Sequence, residues 1–417
     1  MLHPSLGRTL AIQLSVLLIV AAQTYHGVII QIQAHDFGIS TLGIGIITSC
    51  FYLGYFISCL ITRQFIAFLG YIRGHALMTT IYALATLMFP INPNVVSWSI
   101  LYFVCGTAIG GMYVVFENWL NFSTDNQGRG QIMAAYMIMA TVGKIIGNYA
   151  FNYVSTFSFS HYSYITMFIL CSMLPLLTTQ LQQPSPVITP FLSFKDIYRT
   201  SPAAFVVLFL SQIGASSTNG LGATFGKLLG LNSLNISHLM TLIFVAAIAT
   251  QMPLGTLSNK TDRRLVILWV AFFLLVGNIM LLVVPIETPL FWLAIIIIGG
   301  SIYNFYPLAM AHFNDLMHEK HRASVTAQLL MVASVGQTIG PMTSSAFMSH
   351  LGYKGFAIVL IGETILILAF LLNRLRVRHP EKPDRVAINF IADIPLAPPL
   401  AQAQPAVAGR RRKIVNK

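Results

Sequence analysis

Lys144 stands in the middle of an apolar stretch, 15 residues beyond Arg129. On a helix rising about 1.5 Å per residue it lies roughly 22 Å from that charged end. Tyr136, Ala140, Lys144 and Asn148 recur at every fourth position and share one helix face, a polar stripe suited to lining a cavity. An ionisable side chain so placed in an apolar segment is costly and marks a functional site. A single positive charge there suits an anionic solute, or proton coupling if burial lowers its proton affinity. The bland alternative is a snorkelling lysine or a structural ion pair. Two carboxylates are its counterparts. Glu117, one turn after Tyr113, sits near a helix end with Arg63, Arg73 and Arg129 within the same set of loops, which suits a gating ion pair or a protonatable group. Glu363 lies 12 residues into the last apolar stretch, where it serves as a hydrogen-bonding acid or a coupling site.

Further polar groups interrupt other apolar stretches. Gln23, His26 and Gln33 fall near one face of the first, and Gln212, Ser216 and Asn219, at spacings of four and three, on one face of the seventh. These faces are expected to meet across a central cavity. His26 titrates near neutrality, so it is a proton carrier or a hydrogen-bonded packing histidine. Tyr303, Asn304 and Tyr306 add aromatic and amide groups that suit a partly apolar organic ligand. Cys50, Cys59, Cys105 and Cys171 all lie within apolar stretches, with neither pairing nor metal-ligand spacing. There is no HExxH, nucleophile elbow, catalytic carboxylate pair or Gly-rich phosphate loop. The expectation is therefore no metal, no cofactor, no enzymatic activity and no direct coupling to ATP.

The elements that carry these residues follow from composition. The chain is 56% hydrophobic and 9% charged, against about 25% charged in soluble proteins. Its mean hydropathy is +0.73. The apolar stretches are each about 20 residues long, enough to cross a bilayer as helices. Twelve are expected, at 10–33, 41–66, 73–91, 95–118, 131–153, 161–178, 202–228, 236–258, 265–285, 289–312, 323–345 and 351–373. The first follows a lone Arg8 and is expected to be retained rather than cleaved as a signal. A net charge of +12 would suggest nucleic acid in a soluble chain. Here the basic residues gather on one side: of 24 Lys and Arg, only Lys227 and Lys354 fall at the other side and Lys144 within a span. That bias places both termini in the cytoplasm of a plasma membrane, read as a bacterial inner membrane, and removes nucleic acid as a partner.

The stretch from Phe116 to Gly147 recurs. Arg129, Ala134, Ala140, Val142, Gly143, Ile146 and Gly147 are matched 193 residues later by Arg322, Ala327, Ala333, Val335, Gly336, Ile339 and Gly340, and Asn121 by Asn314. The mate of Lys144 is Gln337, so the charge belongs to the first half alone. Asp315 and Glu319, beside Lys320 and Arg322, correspond less regularly to Glu117. A fixed offset through helix, loop and helix is a duplication in one membrane orientation. The expected division is a six-helix half at 1–178, a Pro-containing cytoplasmic linker at 179–201, a second half at 202–373 and a disordered basic tail at 374–417, which offers a contact for anionic lipid.

After the eighth span the chain reads GTLSNKTDRR, Gly255 to Arg264. This resembles the loop signature of the major facilitator superfamily, and ENWLN with the later Arg129–Gly130 resembles its YcaD-like branch. The resemblance covers residues 8–373 and implies an all-α fold of twelve transmembrane helices in two pseudo-symmetric six-helix bundles. In the family this loop latches the halves in one alternating state. Gly255 would permit close packing, and Arg263 and Arg264 would meet helix-end carbonyls or acidic partners. Asn259 replaces the usual aspartate, and the first-half copy of the loop lacks an acid. Gly143 and Gly147, mirrored by Gly336 and Gly340, form a small-xxx-small pattern for close helix packing. In exporters the glycine motif of the fifth span is longer; here Lys144 and Asn148 interrupt it. The reading is a monomeric secondary transporter moving a small organic solute by alternating access, with protons as the coupling ion and the bilayer as solvent. An exporter of amphipathic compounds and a non-transporting solute receptor are the alternatives.

Overall fold

The computed structural model describes residues 9–123, 129–154, 159–178, 194–316 and 319–377. Among them the secondary structure is helical, with no strand. The long helices are α1 (Leu10–Asp36), α2 (Thr41–Leu69), α3 (Tyr71–Met88), α4 (Val95–Phe122), α5 (Arg129–Ala150) and α6 (Ser160–Cys171, with a further turn Leu174–Leu177). After the short helix Phe194–Thr200 come α7 (Pro202–Leu228), α8 (Ser233–Lys260), α9 (Arg263–Val283), α10 in two pieces (Pro289–Ile302 and Phe305–Asp315), α11 (Glu319–Leu351) and α12 (Tyr353–Val377). Eleven of these are long and apolar enough to cross a membrane. The remaining one, α11, is the most polar of the set and packs between α7, α12 and α2.

Local chemistry sets the helix starts. Ser40, Asn94, Ser201 and Asn232 each accept a backbone N–H of the first turn, satisfying donors that the helix cannot. Gly70 (φ 80°) turns the chain directly from α2 into α3, and Gly352 (φ 60°) does the same between α11 and α12. Both need the left-handed region that glycine enters without steric cost.

The duplication holds in the packing. The pairs α1–α5, α2–α4, α3–α6 and α1–α6 of the first half are repeated as α7–α11, α8–α10, α9–α12 and α7–α12 in the second. A Cβ on Gly143 or Gly147 of α5 would come within 2.5 Å of the Leu17 and Ala21 carbonyl oxygens of α1. Gly336 and Gly340 of α11 stand equally tightly on the carbonyls of Phe209 and Ile213 of α7. Gly106 and Gly299, again 193 apart, press on the carbonyls of Phe51 and Ile243. In each case absence of a side chain brings two backbones together, where packing rather than hydrophobic transfer holds membrane helices.

Some boundaries differ from expectation. The segment 179–193 of the expected linker lies outside the described residues, while its end forms the helix Phe194–Thr200. The helix α12 runs to Val377, four residues into the expected tail, and 378–417 lie outside the described residues. The tenth span is broken at Tyr303–Asn304. Pro307 accounts for the break: it has no N–H to offer the carbonyl four residues back, that of Tyr303, and its ring crowds that carbonyl.

Candidate functional site

The two halves touch along α2–α11, α1–α7 and α5–α8. The last contact is a ladder of side chains. Asn152 Nδ2 donates to Ser237 Oγ at 2.7 Å, Ser237 Oγ donates to the Asn148 carbonyl at 2.5 Å, and Asn148 Nδ2 donates to Thr241 Oγ1 at 3.3 Å. One turn further along α5, Lys144 Nζ lies over the Phe244 ring of α8, 4.2 Å from its centroid, and 5.9 Å from that of Tyr303. The two rings are themselves 5.5 Å apart and tilted by 33°. Lys144 is thus the last rung of the ladder.

The break in α10 positions one wall. Tyr303 caps its first piece, and its hydroxyl donates to the Ala215 carbonyl of α7 at 3.4 Å. Lys144, Gln23, Tyr55 and Tyr303 are half-buried, and Asn219 is exposed although its neighbours along α7 are buried and its Nδ2 donates to Tyr52 Oη of the other half at 3.0 Å. Ring attraction for an ammonium is worth about 0.5–2 kcal/mol. Dehydrating the ion costs several kcal/mol. The rings therefore hold Lys144 in place without compensating its charge, while the residue as a whole is only half-buried.

The first and seventh spans do meet, but not through the residues expected. Gln31 makes the connection: its Oε1 accepts from Ala223 N at 3.0 Å and Thr224 N at 3.2 Å, and its Nε2 donates to the carbonyls of Asn219 at 3.4 Å and Gly27 at 2.9 Å. Thr48 Oγ1 adds a bond to the Gly220 carbonyl at 3.3 Å, and Lys227 Nζ pairs with Asp36 Oδ1 at 3.1 Å. Gln23 instead accepts a bond from the Tyr113 hydroxyl of α4. His26 is enclosed by Tyr82, Phe89, Tyr102 and Tyr162, with Nδ1 at 3.3 Å from the Tyr82 hydroxyl, inside the first half and away from α7. Gln33 accepts from the Tyr162 hydroxyl at 2.6 Å, within the same half. Gln337 Nε2 donates to Gln212 Oε1 at 2.7 Å, so the mate of Lys144 is tied within its own half. Ser216 bonds the Ile213 carbonyl and packs on Gly340. Asn304 is buried and bonds Thr250 Oγ1 at 2.9 Å and the Gly300 carbonyl at 2.8 Å, pinning the break of α10 to α8. Tyr306 is buried in the second piece of α10.

The carboxylates also find distinct surroundings. Glu117 is fully buried rather than a solvated helix end, and accepts from the Tyr136 hydroxyl at 3.1 Å, joining α4 to α5. The side chains of its expected partners Arg63 and Arg129, and that of Arg322, lie outside the described residues. Glu363 is buried against Gly214, where the missing Cβ makes room for its carboxyl group. Although it belongs to the last span, it reaches α7.

At the chain-terminal end of the second half, Gly255 is buried and the signature loop forms a clamp. Arg263 engages Asp315 of α10 through Nε–Oδ2 at 2.6 Å and a second bond of 3.2 Å, and reaches Ser258 Oγ at 3.0 Å and Asn259 Oδ1 at 3.3 Å. Asn259 thus supplies an amide oxygen where a carboxylate was missing, and Asp315 provides the charge. Arg264 pairs with Asp262 at 2.8 Å, whose Oδ1 also caps α9 by accepting from Arg264 N at 2.9 Å. Burial works to raise the Asp262 carboxyl, but the hydrogen bonds and charge of Arg264 outweigh it and hold it below the ordinary carboxylate value.

Sequence reasoning missed Phe244, Gln31 and Tyr52. Pro307, four residues after Tyr303, was the available signal for the broken wall. For Gln31 the signal was its place one turn after Gly27, where the missing side chain leaves room on that face.

The sequence matches the family described as Major Facilitator Superfamily over residues 13–299 and 204–411. It is 27% identical over 352 residues to the MFS-type transporter YcaD of Escherichia fergusonii, covering 84% of this chain and 90% of the relative. The YcaD of Shigella flexneri serotype 5b is 27% identical over 354 residues, covering 82% and 89%. Among solved structures, the fold is similar to that of the nucleoside transporter NupG, with a TM-score of 0.72, 14% identity and coverage of 88% of this chain and 100% of that one. It is also similar to the human organic anion transporter MFSD10, with a TM-score of 0.63, 14% identity and coverage of 88% and 100%.

Proposed function

Because the chain belongs to the Major Facilitator Superfamily, a family of membrane transporters that includes its YcaD relatives, we propose that it is a proton-coupled secondary transporter that moves a small organic solute by alternating access of its two halves. The observation that carries this reading is Lys144, held by aromatic rings of the opposite half at the end of the α5–α8 ladder. The protein acts as a monomer, since one chain supplies both halves and the space between them. With the termini in the cytoplasm, the bonded ends of α1, α5, α7 and α8 face outward, so this is a conformation closed to the outside. Gln31, Thr48 and the Asp36–Lys227 pair form the outer gate, and the Arg263–Asp315 clamp keeps the inner ends of α8, α9 and α10 together as one moving body.

The solved transporters of similar fold support a solute cargo of organic chemistry, a nucleoside for NupG and an organic anion for MFSD10. Among the described residues, Glu117 and Glu363 are the carboxylates buried well inside spans, and they are the proposed proton carriers. The test is uptake of a radiolabelled solute panel into proteoliposomes under an imposed pH gradient, with wild type, Glu117→Gln and Glu363→Gln. Accumulation that a protonophore collapses, and that one of the variants loses while still exchanging solute down its gradient, is the expected result. Solute movement that ignores the pH gradient in all three proteins would sink proton coupling, and absence of movement for every solute would sink transport.

A further inference from the structure

We infer that the site at Lys144 takes an organic anion with a flat, apolar body, its negative group on the ammonium and its ring beside Tyr303. This rests on the transporter reading and specifies the cargo.

The charge inventory leads to it. The described ion pairs among fixed charges are Lys227–Asp36, Arg263–Asp315 and Arg264–Asp262, all near the ends of spans. Among the described residues two carboxylates lie deeper within spans, and each packs against other groups. Glu117 is bonded by Tyr136, eight residues before Lys144 on α5 and so about 12 Å along the helix axis. Glu363 lies on the side of α7 turned to α12, against Gly214, while Tyr303 covers α7 at Ala215. What Lys144 meets instead is the face of Phe244 and, further off, that of Tyr303. Among the described residues, this half-buried cation faces rings with no carboxylate beside it, and a bound anion would supply the missing charge.

The same geometry describes the rest of the ligand. The tilted Phe244–Tyr303 pair offers an aromatic surface within reach of a group bound to Nζ. The uncharged amides of Asn219 on α7 and Gln23 on α1 are bonded to Tyr52 and Tyr113 and bring no charge that would oppose an anion. A bare inorganic anion would leave the ring surface unused, and a cation would be repelled by Lys144. Because Lys144 is also the last rung of the α5–α8 ladder, an anion that draws Nζ off the Phe244 ring acts on the contact between the halves.

The experiment is isothermal titration of the purified full-length protein with benzoate, phenyl phosphate and indole-3-acetate, each set against an uncharged counterpart: benzamide, phenol and indole-3-acetamide. At least one acid is expected to bind saturably and at least about tenfold more tightly than its neutral partner, a difference of ~1.4 kcal/mol. Lys144→Gln should reduce that acid to the level of its neutral partner, and Lys144→Arg should retain the preference. Equal binding of acids and neutral partners, no binding of any acid, or an acid affinity indifferent to Lys144→Gln would overturn the inference. The comparison within the wild type stands even if Lys144→Gln misfolds. Proteoliposome flux separates the two readings: neutral or cationic solutes carried regardless of Lys144→Gln sink the anion site and leave transport standing. Acid binding that needs Lys144, with no flux of any solute, does the reverse.

Discussion

Replacing Gln31 by methionine keeps the length of the side chain and removes both of its polar ends. Three of its four bonds cross between the halves, at 3.0, 3.2 and 3.4 Å. At about 0.5–1.5 kcal/mol net for each, with the longest discounted, their loss weakens the contact between α1 and α7 by about 2 kcal/mol. That corresponds to roughly a 30-fold shift toward the state in which these ends have parted. If that state holds about 1% of the population beforehand, it should rise to about a quarter. The neighbouring Asp36–Lys227 pair remains, but a partly exposed pair contributes only about 0–1 kcal/mol and does not restore the balance. Spin labels at Asn92→Cys and Glu287→Cys, one in a loop of each half on that face, report the separation by pulsed electron resonance, after Cys50, Cys59, Cys105 and Cys171 have been replaced by alanine. A second, longer distance should appear in Gln31→Met. A distance distribution identical to that of the parent would refute the assignment of Gln31 to the gate.

Two further outcomes follow from packing and charge. Gly147→Ala would place a methyl group 2.5 Å from the Ala21 carbonyl oxygen and 2.9 Å from Tyr25 N, both backbone, so α1 and α5 must separate. The cost expected of such overpacking is about 1–3 kcal/mol, read as a lower midpoint for loss of the monodisperse protein on heating; an unchanged midpoint would show that the helices part freely. Asp262 has a carboxyl held below its ordinary value. Its contribution is therefore fully present above the unfolded carboxylate pKa of about 3.9 and is lost as pH falls through the lower folded value. Thermal scans between about pH 6 and pH 3 should show a steeper acid loss in wild type than in Asp262→Asn, which keeps the cap without the titration. Parallel curves would remove Asp262 from the acid response.

The loop signature shows how far local reading goes. Gly255, Asn259, Arg263 and Arg264 were legible because their spacing is local, and Asn259 was recognisable as a substitution for an acid. That Asp315, 52 residues away, supplies the charge was not legible, since it depends on how α9 and α10 cross. For His26 the structure has the packing histidine, one of the two readings its sequence allowed, rather than a residue facing α7. Its helical phase places it near Gln23, but the helix α1 is buried on nearly all sides, so sharing an approximate face does not decide which neighbour a side chain meets. Glu363 was placed at the right depth, while its contact with Gly214 follows from the crossing of α7 and α12.

By itself the sequence determined the quantities that depend on a residue and its near neighbours in the chain. The apolar lengths require membrane-spanning helices, the 193-residue offset requires two similar halves, and the glycines spaced four apart require close backbone contact. Tertiary structure alone decided which side chains face one another across the halves. Lys144 meets Phe244 and Tyr303, rather than a carboxylate, because α8 crosses α5 there and Pro307 breaks α10 at the level of the lysine. Crossing angles and a local break set those distances within a few ångströms, and each depends on packing along the whole length of several helices, so no short stretch of sequence encodes it.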